Sequence, residues 1–135
     1  MVDQVLEAYP KDLKLIFKQF PLPMHSNALP AARAALAAGK QGKFWEMHDK
    51  LFANQRALTM DDLKKYAQEI GLDMATFEKD MASPEVQKEI DDDTKLAQQS
   101  QVSGTPTLFL NGKRVSNRSA DGLKQMVDEA LKPKS

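Results

Sequence analysis

The side chains that carry most enzyme chemistry are sparse in this sequence. There is no cysteine, and the only histidines are His25 and His48. Without a thiol there is no thiolate to attack a disulfide or to hold a soft metal. A zinc centre needs three or four nitrogen, sulfur or oxygen ligands, and two distant histidines do not supply them. Trp45-Glu46-Met47-His48 lacks the His-Glu-x-x-His spacing of a metalloprotease helix. We read His48 as a packing residue on a helix face and His25 as a loop residue.

Asp91-Asp92-Asp93 falls inside an expected helix, where consecutive residues point about 100° apart, unlike the alternating ligands of a calcium loop. It reads as a solvated face. Gly39-Lys40-Gln41-Gly42-Lys43 lacks phosphate-loop spacing and has no strand before it, so it reads as a helix–helix turn. There is no Gly-x-Ser-x-Gly elbow and no carboxylate pair that sequence can place in a cleft. The expectation is no catalytic residue, no metal and no cofactor.

The informative stretch is Val102–Val115, VSGTPTLFLNGKRV. Gly104, Thr105 and Pro106 are turn residues, and Thr107–Leu110 is a β-prone apolar run. Asn111-Gly112 is a strong hairpin dipeptide, with Lys113–Val115 as the returning strand. Proline cannot donate to a ladder, which puts Pro106 at the strand's first position or just before it.

The 135 residues allow one ordinary domain, and 41% hydrophobic with 28% charged residues is a globular balance. Nineteen basic and nineteen acidic residues cancel, which argues against a broad electrostatic grip on nucleic acid or an anionic membrane. No apolar run is long enough to span a bilayer, and MVDQVLEAYPKD lacks the features of a signal peptide.

The elements that must position the 102–115 stretch follow from periodicity and punctuation. Val2–Ala8 has helical spacing and stops at Pro10. Asp12–Phe20 reads as a strand, with Leu13, Leu15 and Phe17 alternating against Lys14, Ile16 and Lys18. Ser26 or Asn27 caps a helix with Leu29, Ala32 and Leu36 inward and Gly39 as its stop. The next helix carries Phe44, Met47, His48, Leu51 and Phe52 on one side, flanked by Trp45. Thr59 with Asp62 approaches a capping box, Asp73 caps a short helix, and Ser83-Pro84-Glu85 opens a longer one. Ser119 caps the last, with Leu123, Met126, Val127, Ala130 and Leu131 inward. The order is helix, strand, about five helices, strand, strand, helix: an α/β, helix-rich chain with a small sheet.

Gly104-Thr105-Pro106-Thr107, the apolar strand and Asn111-Gly112-Lys113 resemble the cis-proline loop and hairpin of the DsbA-like branch of the thioredoxin superfamily. The resemblance continues through KLIFKQFPL, AARAALAAGKQGKFWEMHDKLFANQ and LKKYAQEIGLD, nearly the whole chain. It implies a thioredoxin-like sheet with an all-helical insertion. Residues 1–23 would be the end of the first helix and a strand, 24–101 the insertion, and 102–135 the loop, hairpin and last helix. On this reading the chain is truncated at its N-terminus, without the first core strand and the Cys-x-x-Cys. Gln101 departs from the resemblance, standing where the family often has glycine.

The family function implied is thiol:disulfide exchange on extracytoplasmic proteins, here redox-inactive for want of cysteine. The alternative is a non-catalytic module that binds extended polypeptides at Thr105-Pro106, the implied substrate-binding pair. Localisation would be periplasmic or otherwise extracytoplasmic. The strands at Leu13–Phe20 and Thr107–Leu110 would each lack a neighbour, so they are expected to pair directly or to complete a sheet in a homodimer.

Overall fold

The computed structural model describes residues 2–21, 26–104 and 107–132. In chain order it contains α1 (Val2–Ala8), α2 (Ala28–Lys40), α3 (Phe44–Ala53), α4 (Met60–Glu69) and α5 (Met74–Met81), followed by α6 (Pro84–Gln99), β1 (Phe109–Leu110), β2 (Lys113–Arg114) and α7 (Ala120–Leu131). The chain divides into two compact units, one formed by Met1–Phe17 with Gly104–Ser135 and the other by Lys18–Ser103. Among the described residues, no helix is long and apolar enough to cross a membrane.

The helical unit is organised around α2. Ala34, Ala35, Ala37 and Ala38 are buried against Met47, Leu63, Tyr66, Ala67, Phe77 and Met81. Ala32 and Leu36 pack with Val86 and Ile90 of α6. A helix enclosed on two sides must have small side chains, which explains the alanines. Gly39 was expected to stop this helix but lies inside it. A Cβ there would come within 3.3 Å of the Phe44 Cβ, so the glycine serves close approach.

The helix starts follow their capping chemistry. Thr59 and Asp62 form a reciprocal capping box, Asp62 N–H donating to Thr59 Oγ1 and Thr59 N–H to Asp62 Oδ2. Thr76 N–H donates to Asp73, Val86 N–H to Ser83 and Gly122 N–H to Ser119. Asn27 occupies the N-cap of α2 but makes no side-chain cap bond.

Asp73's carboxyl is held below its ordinary value chiefly by the Thr76 N–H. The folded value is the lower one, so this contribution is complete above the ordinary carboxylate value of about 4 and is lost as pH falls through the folded value. Glu69 beside Lys50 and Glu85 beside Lys40 act in the same sense. Asp73→Asn should keep the cap, since asparagine serves equally well. Its urea midpoint at pH 7 should stay near wild type while the loss of stability below about pH 4 becomes shallower; an unchanged acid slope would contradict the assignment.

Three helices end in the same way. Beyond the caps of α2, α4 and α6, Lys43, Leu72 and Val102 N–H groups reach back to Ala38, Ala67 and Ala97 carbonyls at 2.9, 3.0 and 2.8 Å, the Schellman arrangement. The left-handed residue is Gly42 (φ 75°), Gly71 (φ 84°) and, in the third, Gln101 (φ 60°). A side chain there costs roughly 1–2 kcal/mol, offset in part by the greater unfolded-state freedom of glycine. Gln101→Gly is therefore expected to raise stability by about 0.5–1 kcal/mol, read as a higher urea midpoint at unchanged slope.

In the other unit, Val5, Val115, Leu123 and Val127 form the core, with Tyr9, Leu13, Leu108, Leu110 and Met126 packed on it. Tyr9 O–H donates to the Asp128 carboxylate, tying α1 to α7. The hairpin matches expectation: Phe109 faces Arg114 and Leu110 faces Lys113. Its turn has φ 50° at Asn111 and 81° at Gly112, the two left-handed residues of a type I′ turn. The Arg114 guanidinium lies 5.3 Å from the Phe109 ring centroid, a cation–π contact.

Several expectations are corrected. Residues 12–20 form no strand, because a ladder needs a neighbour and none lies alongside among the described residues; nor does this segment pair with β1. Leu13 and Leu15 are half-buried, Ile16 and Phe17 exposed. Asp93 is not solvated like Asp91 and Asp92: it is buried, accepts the Gln19 N–H at 2.9 Å and lies 3.6 Å from Lys18 Nζ. Phe52 is exposed rather than inward, as are Leu29 at the start of α2 and Ala130 and Leu131 at the end of α7. His48 is flanked by aromatic neighbours, its ring centroid 5.2 Å from Trp45 and 4.4 Å from Phe52.

Candidate functional site

Thr105 and Pro106 lie outside the described residues, as does His25. On either side of the pair, the Thr107 hydroxyl donates to the Gly104 carbonyl at 2.7 Å. This cross-brace fixes the entry to β1.

An apolar trough opens where that strand leads. It is lined by Val2, Val5 and Leu6 of α1, by residues 13–15, by Leu108, Phe109, Leu110 and Val115 of the hairpin, and by Leu123 and Val127 of α7. Its cavity volume is about 80 Å³, far below the roughly 300 Å³ at which small-molecule sites begin. It can take a side chain or two from something laid across its mouth. Among the described residues Lys14 is its one charged lining residue.

The adjoining backbone explains what could lie there. Val115 N–H donates to the Leu108 carbonyl at 2.8 Å, so Leu108 and Val115 are a hydrogen-bonded pair. In an antiparallel ladder bonded and non-bonded pairs alternate, so Phe109 presents its own N–H and C=O to the side away from β2. Among the described residues no strand takes up that outer edge. An open edge beside an apolar trough is a template for an added strand.

No group of three or more potential metal-ligating residues is found among the described residues. Periodicity identified the two apolar segments. It missed the trough itself, because Val5, Leu123 and Val127 read as ordinary core positions until α1 and α7 come together.

A family model for the DSBA-like thioredoxin domain matches residues 2–128. A thioredoxin-like oxidoreductase from Silicibacter pomeroyi DSS-3 has a solved structure similar to this one, with a TM-score of 0.78 and 30% identity, covering 98% of this chain and 76% of its own. The oxidoreductase DsbA from Xylella fastidiosa shares the fold, with a TM-score of 0.73 at 23% identity over 95% of this chain and 74% of its own. Among curated proteins, a Na+/H+ antiporter NhaA 1 of Mycolicibacterium gilvum is 40% identical over 116 residues, 84% of this chain and 19% of that protein. One from Salinispora arenicola is 43% identical over 104 residues, 76% of this chain and 16% of that protein. The chain thus spans about a fifth or less of the length of these curated relatives. With nearly every residue matched by the family model and the fold shared with two solved oxidoreductases, the chain belongs to the DSBA-like thioredoxin domain family.

Proposed function

We propose that this chain is a redox-silent DsbA-like domain that holds extended polypeptides in an extracytoplasmic compartment. The family's thiol:disulfide exchange needs an attacking thiolate, and the chain contains no cysteine. Polypeptide binding does not need one. The observation that carries the reading is the outer edge of β1, unpaired among the described residues, beside the apolar trough. An incoming strand would bond to the Phe109 backbone and seat alternate side chains in the trough, with Thr105 and Pro106 presenting the backbone that precedes β1.

A labelled peptide of alternating valine and threonine tests this by fluorescence anisotropy. Binding should be saturable, and Pro106→Ala should weaken it at least about fivefold, the order of one lost hydrogen bond. Absent binding, or binding indifferent to that substitution, overturns the reading.

The same open edge suits a second reading, in which a second copy of the chain completes the sheet. A dimer in sedimentation that the peptide dissociates would place both occupants on one surface.

A further inference from the structure

The helical unit holds a second and larger groove, of about 390 Å³, within the range of small-ligand sites. Leu29, Pro30 and Arg33 of α2 line it, with Met60 and Lys64 of α4 and Met81 at the end of α5 among the residues opposite. Its walls are aliphatic, and Leu29 and Met60 are exposed. Methionine is unbranched and polarizable and adapts to aliphatic chains of varied shape.

Its charges are unevenly matched. Lys64 pairs with Glu78 across the groove at 3.3 Å, and those two charges cancel. Arg33 donates from one terminal nitrogen to the neutral Gln87 side chain. Its Nε is buried without a hydrogen-bond partner among the described residues. Buried polar groups are nearly always paired, and one that is not calls for an explanation. A guanidinium with donors to spare suits a planar carboxylate, which it can grip by two parallel bonds.

We propose that this groove binds a small aliphatic monocarboxylate, its carboxylate against Arg33 and its chain along Leu29, Met60 and Met81. A single uncompensated positive charge favours a monoanion, and the apolar walls favour a tail over a second polar group. The site is separate from the trough at β1 and does not depend on the polypeptide-binding reading.

Octanoate is the probe and octan-1-ol its uncharged control, titrated into the full chain by calorimetry and by two-dimensional NMR of the methionine methyl groups. Octanoate should bind at least about tenfold more tightly than octanol and shift Met60 and Met81. Arg33→Gln should bring the two affinities together, and Arg33→Lys should fall between. Equal affinities in the wild-type chain, no saturation by octanoate, or shifts that spare both methionines would overturn the proposal. The wild-type comparison decides even if Arg33→Gln does not fold.

Discussion

Phe77→Ala is expected to cost about 3–5 kcal/mol, as large-to-alanine changes at sealed aromatic positions do. Phe77 is 0% exposed and sits in the cluster where α2, α3, α4 and α5 meet. Its surroundings include Met47 and Leu63, both also 0% exposed. Close-packed neighbours relax only partly into a void, so the lost transfer energy and the cavity add. Trp45, the only tryptophan, lies on α3 of the same unit and reports its unfolding by fluorescence. The urea midpoint should fall sharply. A loss below about 1 kcal/mol, typical of surface changes, would mean that this cluster is not the core.

Val5→Asp should be comparably damaging by a different route. Val5 is 1% exposed in the cluster with Val115, Leu123 and Val127, and Lys14, the charged residue on the adjoining trough among those described, is itself exposed to water. A carboxylate there is left unpaired or must take up a proton, and an uncompensated buried charge costs about 3–5 kcal/mol. Among the described residues this core has only four buried members, so it has little to spare. Hydrogen exchange should show α1 and α7 amides losing protection while those of α4 and α5 keep theirs, because the two clusters share no residue. Equal loss in both units would show that they unfold only together.

The parts legible in the sequence were those decided within a few residues. Thr59, Asp73, Ser83 and Ser119 announced their helices because a side-chain acceptor three residues before a free N–H is a local matter. Asn111-Gly112 announced its turn for the same reason. What failed depended on how segments pack together. Gly39 looked like a stop because nothing nearby in sequence reveals Phe44's ring against it. Residues 12–20 alternate like a strand, yet alternation cannot supply a neighbour. Asp93 differs from Asp91 and Asp92 through Gln19, 74 positions away, and Lys18 beside it.

The candidate sites divide along the same line. Thr105 and Pro106 stood out by motif, and the open edge of the hairpin they precede was foreseeable from two unpartnered apolar runs. The trough and the Arg33 groove were not, since each needs side chains from several separate segments to converge.

The division of the chain also has a temporal side. The helical unit is one uninterrupted stretch, Lys18–Ser103, whereas the other unit joins the two segments that flank it, Met1–Phe17 and Gly104–Ser135. Bringing those segments together across so long an intervening loop costs roughly 4 kcal/mol of closure entropy when that loop is slack. Once the helices have condensed, the intervening chain is no longer slack and the penalty shrinks. On the ribosome the order is stricter still. Every residue of the helical core is in hand when Ser103 has been added, while Val5 must wait for Val115, Leu123 and Val127 before it has anything to pack against. Until then the residues that bury Val5 in this unit are missing, and this interval is when a nascent chain of this design is most exposed to capture by other chains.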